Sequence, residues 1–306
     1  MRRNTSAWAV EFCRALAVLT VAAVLGGGAL AQTLPASRSE SSAASLIEKY
    51  EALSPQLAQN SFGRPIYLES SETPSMVSGN AYAVLDSPFN TVSSMLKSPG
   101  RWCEVMILHI NTKFCKASVD AGPPTLNVNI GKKTAQELSD TYALEFAFRP
   151  VAASSNYLSV QLNAEKGPLG TNNYQIELRA TPLPGGKTFM HLRYSYGYGL
   201  AGRIAMQGYL ATLGSGKVGF TPVESGQKQG YVGGMRGAVE RNTMRYYLAI
   251  DAYLDSLNAP SAQQVNTRLE QWFKATEQYP RQLHEMDLSS YLSMKKSELQ
   301  RQQNGA

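Results

Sequence analysis

The sequence predicts an α+β fold in which a curved antiparallel sheet wraps around a long C-terminal helix, with additional N- and C-terminal helices. Three observations predict it. From Thr125 to Tyr196 the chain is a succession of short alternating segments joined by hairpin-length turns, the pattern of antiparallel pairing. From Ala238 to Leu257, the residues Val239, Thr243, Tyr246, Tyr247, Ile250, Leu254 and Leu257 recur at three- and four-residue steps, a helical stripe that needs a sheet to cover. Between Ser78 and Cys115 an alternating run (Ala81, Ala83 and Leu85 against Tyr82, Val84 and Asp86) is broken by Ser87-Pro88, and the proline is placed to open a short helix.

Taken in order, residues 1–31 read as an export signal. Arg2 and Arg3 give a positive start, Ala15 to Leu25 an apolar stretch, and Ala29-Leu30-Ala31 a small-residue cleavage pattern before Gln32. The apolar run is shorter than the roughly 20 residues a membrane-spanning helix needs, so the expectation is a cleaved signal and a periplasmic or secreted protein. Residues 32–61 form a small, polar lead followed by a helix from Ala43 to Leu57, with Leu46, Ile47, Tyr50, Leu53 and Leu57 at helical spacing. The domain proper is expected over 62–258.

Within it, Leu126, Val128 and Ile130 alternate in one strand, and Tyr142, Leu144, Phe146 and Phe148 in the next, before Pro150. Leu158, Val160 and Leu162 define a third, and Gly167-Pro168-Leu169-Gly170 turns into a fourth carrying Tyr174, Ile176, Leu178 and Ala180. Pro184-Gly185-Gly186 then leads into Thr188 to Tyr196. A loosely packed, Ala- and Gly-rich helix is expected from Leu200 to Leu213, a further strand from Lys217 to Val223, and a glycine-rich loop from Gly230 to Gly237. Arg241, Arg245 and Leu248 point away from the stripe on the long helix, which implies contact on more than one side. Residues 259–306 form a C-terminal helical extension: one helix from Ala262 to Gln278 with Val265, Leu269, Trp272 and Phe273 on its apolar side, and another from Leu288 to Gln302 whose polar end is expected to fray.

The 306-residue chain carries a formal charge of +6, which falls to +4 once Arg2, Arg3, Arg14 and Glu11 leave with the signal. The remaining charges are interspersed, which speaks against a nucleic-acid partner and leaves room only for transient contact with an anionic membrane surface. With Cys13 in the signal, Cys103 and Cys115 are the remaining cysteines, and an oxidising compartment favours a disulfide between them. A catalytic thiol with His109 nearby is the competing reading, one that a disulfide removes.

The histidines are His109, His191 and His284, and none stands in a zinc-binding spacing; no nucleophile elbow, phosphate loop or dinucleotide fingerprint is present. No metal, no cofactor and no catalytic residue is therefore assigned. His191 and Arg193 share a parity on their strand, as do Glu177 and Arg179 on the one before, so a polar row crosses that hairpin. On an outward face the row is solvated; on an inward face Arg193 would hold an anionic headgroup and His191 would serve as acid or base. Glu240, Arg241 and Arg245 on the long helix pose the same question of inward or outward facing, and Glu240, Arg241 and Asn242 are read instead as anchors for the glycine-rich loop Gly230 to Gly237.

The segment Ala81-Tyr82-Ala83-Val84-Leu85-Asp86-Ser87-Pro88-Phe89, Trp102 after the short helix and the stripe from Val239 to Leu257 resemble the helix-grip fold of the START-like (SRPBCC) superfamily, over about Phe62 to Asn258. The resemblance implies a hydrophobic cavity between sheet and long helix that holds a lipid or another apolar small molecule. Its expected lining is Trp102, Tyr142, Phe146, Phe148, Tyr174, His191, Arg193, Tyr194, Tyr246, Tyr247 and Ile250, with the glycine-rich loop and the helix from Leu200 as gate. The helix from Leu200, the cysteine pair and the C-terminal helices depart from the family pattern and leave the subfamily open. The leading functional reading is an exported soluble binding protein for such a ligand, with lipid transfer as its extension. Alternatives are a cyclase-like or hydrolytic enzyme using His191 and an envelope scaffold protein without ligand.

Overall fold

A computed structural model of the chain describes residues 42–119, 122–212, 216–225 and 228–304. The expected export signal and polar lead lie outside the described residues. Helix α1 (Ala43–Ala58) opens the described fold, with Ser42 and Ser45 capping its first turn reciprocally. There follow β1 (Ile66–Glu72), β2 (Met76–Leu85), α2 (Phe89–Leu96) and α3 (Pro99–Met106). The strands β3 (Thr112–Ser118), β4 (Thr125–Ile130), β5 (Tyr142–Ala153), β6 (Leu158–Lys166), β7 (Thr171–Leu183) and β8 (Lys187–Tyr198) come next.

Eight strands form one antiparallel sheet in the order β1-β2-β8-β7-β6-β5-β4-β3. The last strand of the run therefore returns beside β2, pairing Leu85 with Thr188 and Met76 with Gly197. One strand, two short helices, six strands in a meander and a closing helix make up the helix-grip order that the sequence resembles, with β1 added as an extra edge strand. Pro88 stands just before α2 and Pro99 in the first turn of α3, positions where the fixed φ of proline suits the helix start and its missing amide hydrogen costs no helical bond.

The closing helix α5 (Gly234–Ser256) crosses the inner face of the sheet over β1, β2 and β8. Its approach to β2 depends on Gly79, where a Cβ would collide with the Thr243 hydroxyl and crowd the Val239 carbonyl. The stripe from Val239 to Leu254 meets the sheet, and the far side is covered as well. There α6 (Gln264–Glu277) lays Trp272 against α5, its Nε1 donating to the Arg245 carbonyl at 3.1 Å. Both α5 faces are consequently buried, including Arg241 and Arg245.

Cys103 on α3 and Cys115 on β3 lie at disulfide-bonding distance, with Cα atoms 5.1 Å apart. Helix α8 (Leu288–Gln303), after the short α7 (Pro280–Leu283), packs on β3 and does not fray where its polar sequence predicts. Lys295 and Lys113, both fully buried, share the Glu298 carboxylate at 2.8 and 3.0 Å, and Gln302 accepts from the Cys115 amide at 3.0 Å. The apparently polar end is thus an internal ion cluster.

Two further expectations are corrected. The strand expected from Lys217 to Val223 is confined to β9 (Pro222–Ser225), which pairs with β10 (Lys228–Tyr231), a strand that runs into the start of the segment read as a glycine-rich loop. The chain before β9 is pinned: Glu240 accepts from the Phe220 and Thr221 amides at 2.6 and 2.9 Å, and Arg241 donates to the Val218 carbonyl. The β1–β2 hairpin, in turn, has no sequence expectation, because β1 is only partly apolar and lies on the sheet edge.

Helix α1 lies on the outer face of the sheet. Leu46, Leu53 and Leu57 pack there on Tyr82, Tyr157 and Phe189, a second core separate from the large one on the inner face. Among the described residues no helix is long and apolar enough to cross a membrane.

Candidate functional site

A cavity of about 160 Å³ lies between the inner face of the sheet and α5. Period-two alternation aims Leu144 and Phe146 of β5, Tyr174 of β7, and Tyr194 and Tyr196 of β8 into it. Ala238, Arg241, Asn242, Arg245 and Tyr246 form the roof, at the three- and four-residue steps of one α5 face. At one end stand His109, Asn111 and Lys133, and the opening is bordered by Pro168, Leu169 and Met206 of α4 (Leu200–Ala211).

The aromatic walls are in mutual contact. Tyr174 stacks on Tyr196 with centroids 5.2 Å apart, Tyr194 meets Tyr246 at 5.4 Å, and Tyr246 stacks on His109 at 4.8 Å. Burial raises every one of these phenols above its ordinary value, Tyr174 to about 12, so all are neutral hydrogen-bonding groups at physiological pH.

The end wall is polar and cationic. His109 is buried, and its Nδ1 accepts from the Asn111 amide at 3.2 Å, which places the ring proton on Nε2. That buried Nε2 makes no hydrogen bond of good geometry, although the Asn242 side chain interacts with the ring and favours its protonated form. Burial first, then the positive charges of Arg245 and Lys295, holds the imidazole well below its ordinary value and therefore neutral. Lys133 and Arg245 both reach Glu285 behind the wall, at 2.6 and 2.7 Å. Burial alone would raise the Glu285 carboxyl, but Arg245, Lys133 and Lys217 hold it below the usual carboxylate range.

Of the residues expected to line a cavity, Phe146, Tyr174, Tyr194 and Tyr246 do so. Phe148 and Ile250 are buried in the core outside it. Trp102 fills the space between the short helices, donating from Nε1 to the Leu96 carbonyl at 2.6 Å. Tyr247 is buried beside Arg64 and Asp251 on another side of α5, and Tyr142, at the start of β5, is 48% exposed.

His191 and Arg193 are corrected most sharply: their parity on β8 is opposite to that of Tyr194 and Tyr196, so they face away from the cavity. His191 lies under α1, stacked on Tyr82 at 4.3 Å with Nε2 2.9 Å from Asn80 Oδ1, and it is buried rather than solvated. The enzyme reading loses the acid or base it named.

His109, Lys133 and Asn242 carry no expectation as cavity residues; Arg245, whose face the sequence leaves open, joins them at the cavity. The signal present in the sequence was the i, i+4 spacing of Arg241 and Arg245 on a helix otherwise rich in apolar residues; His109 and Lys133 reach the wall from loops that no periodicity orders. Glu240 and Arg241 hold the 218–221 segment, and Arg241 also lines the cavity together with Asn242. Among the described residues no group of three His, Cys, Asp or Glu side chains converges to hold a metal ion.

No protein-family model and no curated protein matches the chain. Several solved structures overlap with it. A START superfamily protein from Mycobacterium smegmatis is 13% identical, covering 60% of this chain and 99% of its own, with a TM-score of 0.34. Human StAR-related lipid transfer protein 5 is 13% identical over 51% of this chain and 82% of its own, TM-score 0.32. Norcoclaurine synthase from Thalictrum flavum, in complex with dopamine and hydroxybenzaldehyde, is 12% identical over 49% and 83%, TM-score 0.32.

Proposed function

We propose that this chain is an exported binding protein for a hydrophobic small molecule, held between the sheet and α5. One observation carries the reading: a space lined mainly by aromatic and aliphatic side chains, closed at one end by a few convergent polar groups, is the arrangement that binds an apolar body and fixes its orientation.

Size limits the occupant. A cavity of about 160 Å³ is on the scale of an engineered cavity that takes up benzene, and below the roughly 300–1,000 Å³ of sites for drug-sized ligands. The closed site accommodates a ring or a short chain. A longer lipid requires α4 and the Pro168–Gly170 turn to move outward. These two pack through Gly202 and Gly170, whose backbones approach so closely that a Cβ on Gly202 would overlap the Gly170 carbonyl. Export is supported by the signal-like residues 1–31 and by the cysteine pair, and transfer between membranes would be a further use of the same cavity.

The test is native mass spectrometry of the protein purified from its own host, beside an Ala238→Trp variant that fills the roof of the cavity. A bound small molecule in the wild-type chain and none in the variant, at matched circular dichroism, is expected. A wild-type chain that stays empty and takes up no apolar fluorescent probe would overturn the reading.

A further inference from the structure

We infer that the ligand class is a compact aromatic monocarboxylate, with its carboxylate on His109 Nε2 and its ring among Phe146, Tyr174, Tyr194 and Tyr246; the inference rests on the cavity reading above. The first support is the unmet donor. The neutral His109 ring carries its proton on Nε2, that buried atom makes no hydrogen bond of good geometry although the Asn242 side chain interacts with the ring, and the side chain lines the cavity. An unsatisfied buried donor is costly unless an acceptor arrives, and in an otherwise apolar space that acceptor comes with the ligand.

The second support is charge. Lys133, Arg241 and Arg245 line the cavity and no carboxylate does; Glu285, which pairs with Lys133 and Arg245, stands behind them. Lys133, Lys217 and Arg245 all converge on that one carboxylate. A ligand cation would meet these basic side chains unfavourably, and an anionic head favourably. The third is size and shape. A volume near that of a benzene site, walled by stacked tyrosines, suits one flat ring better than a flexible chain.

Calorimetric titration with benzoate, its neutral isosteres benzamide and benzyl alcohol, and the cation benzylamine tests the inference. Benzoate is expected to bind at least about tenfold more tightly than either neutral compound, with no detectable benzylamine binding, the scale set by a hydrogen bond to a charged group. His109→Phe keeps the ring and removes the donor, and should erase most of that preference while leaving benzyl alcohol affinity nearly unchanged. Should this variant fold poorly, Lys133→Gln should weaken benzoate several-fold and spare the neutral compounds. Equal or tighter binding of the neutral isosteres would overturn the carboxylate assignment and leave the cavity reading intact. Binding of an apolar fluorescent probe that none of the four compounds displaces would overturn the assignment of ring and head together, whereas failure of both probe and compounds would overturn the cavity reading itself.

Discussion

Two buried histidines stay neutral for the same reasons, burial first and neighbouring positive charges second. His191 is held down to about 3 by burial under α1, then by Arg179, Arg193 and Lys49. Its folded value lies below its unfolded one, so the stability from keeping it neutral is complete above about pH 6.5 and is lost as pH falls toward 3. His191→Phe, which retains the stacking on Tyr82, should flatten the fall in melting temperature between pH 6.5 and 4; an unchanged slope would refute this. Glu298 presents the opposite problem, one carboxylate between the fully buried Lys113 and Lys295. Glu298→Gln leaves two uncompensated ammonium groups inside and should cost about 3–5 kcal/mol in chemical denaturation. At this scale the sequence was readable for type and parity and unreadable for environment. The alternation of β8 sets His191 and Tyr194 on opposite faces, yet the expected lining takes both, and only the position of α1 shows that the His191 face is a second core.

Elements were most legible where one periodicity dominated. The stripe on α5 and the alternation from β4 to β8 needed no tertiary information, because burial on one face writes itself into the residue pattern. Helix α8 failed this test because three of its polar side chains face inward: Lys295, Glu298 and Gln302 look like solvent residues and act as interior ones. The span from Lys217 to Val223 failed for another reason, since its backbone hydrogen bonds go to Glu240 and to the Val232 carbonyl instead of to a sheet neighbour. The Cys103–Cys115 pair ties α3 to β3 beside the cavity's polar end. Cys103→Ser with Cys115→Ser should lower unfolding free energy by about 2–4 kcal/mol, read by denaturant titration, without changing the helix content at low denaturant.

For the whole molecule, the helix-grip architecture and a space beneath the long helix follow from the residue pattern, whereas the polarity of that space does not. Its aromatic half comes from strands and was visible as alternation. Its polar half is assembled from a loop after α3, a loop after β4 and the roof of α5, three segments that meet only after folding. One feature of the topology also constrains how the chain can be made. β2 has β1 on one side, but its other edge waits for β8, with Leu85 paired to Thr188 and Met76 to Gly197. During vectorial synthesis the early hairpin therefore emerges with an open edge, and closure has to wait for most of the sheet to appear. Such long-range pairing slows folding and leaves a strand edge open to foreign partners, so the newly made chain depends on being kept apart from its own copies until β8 arrives.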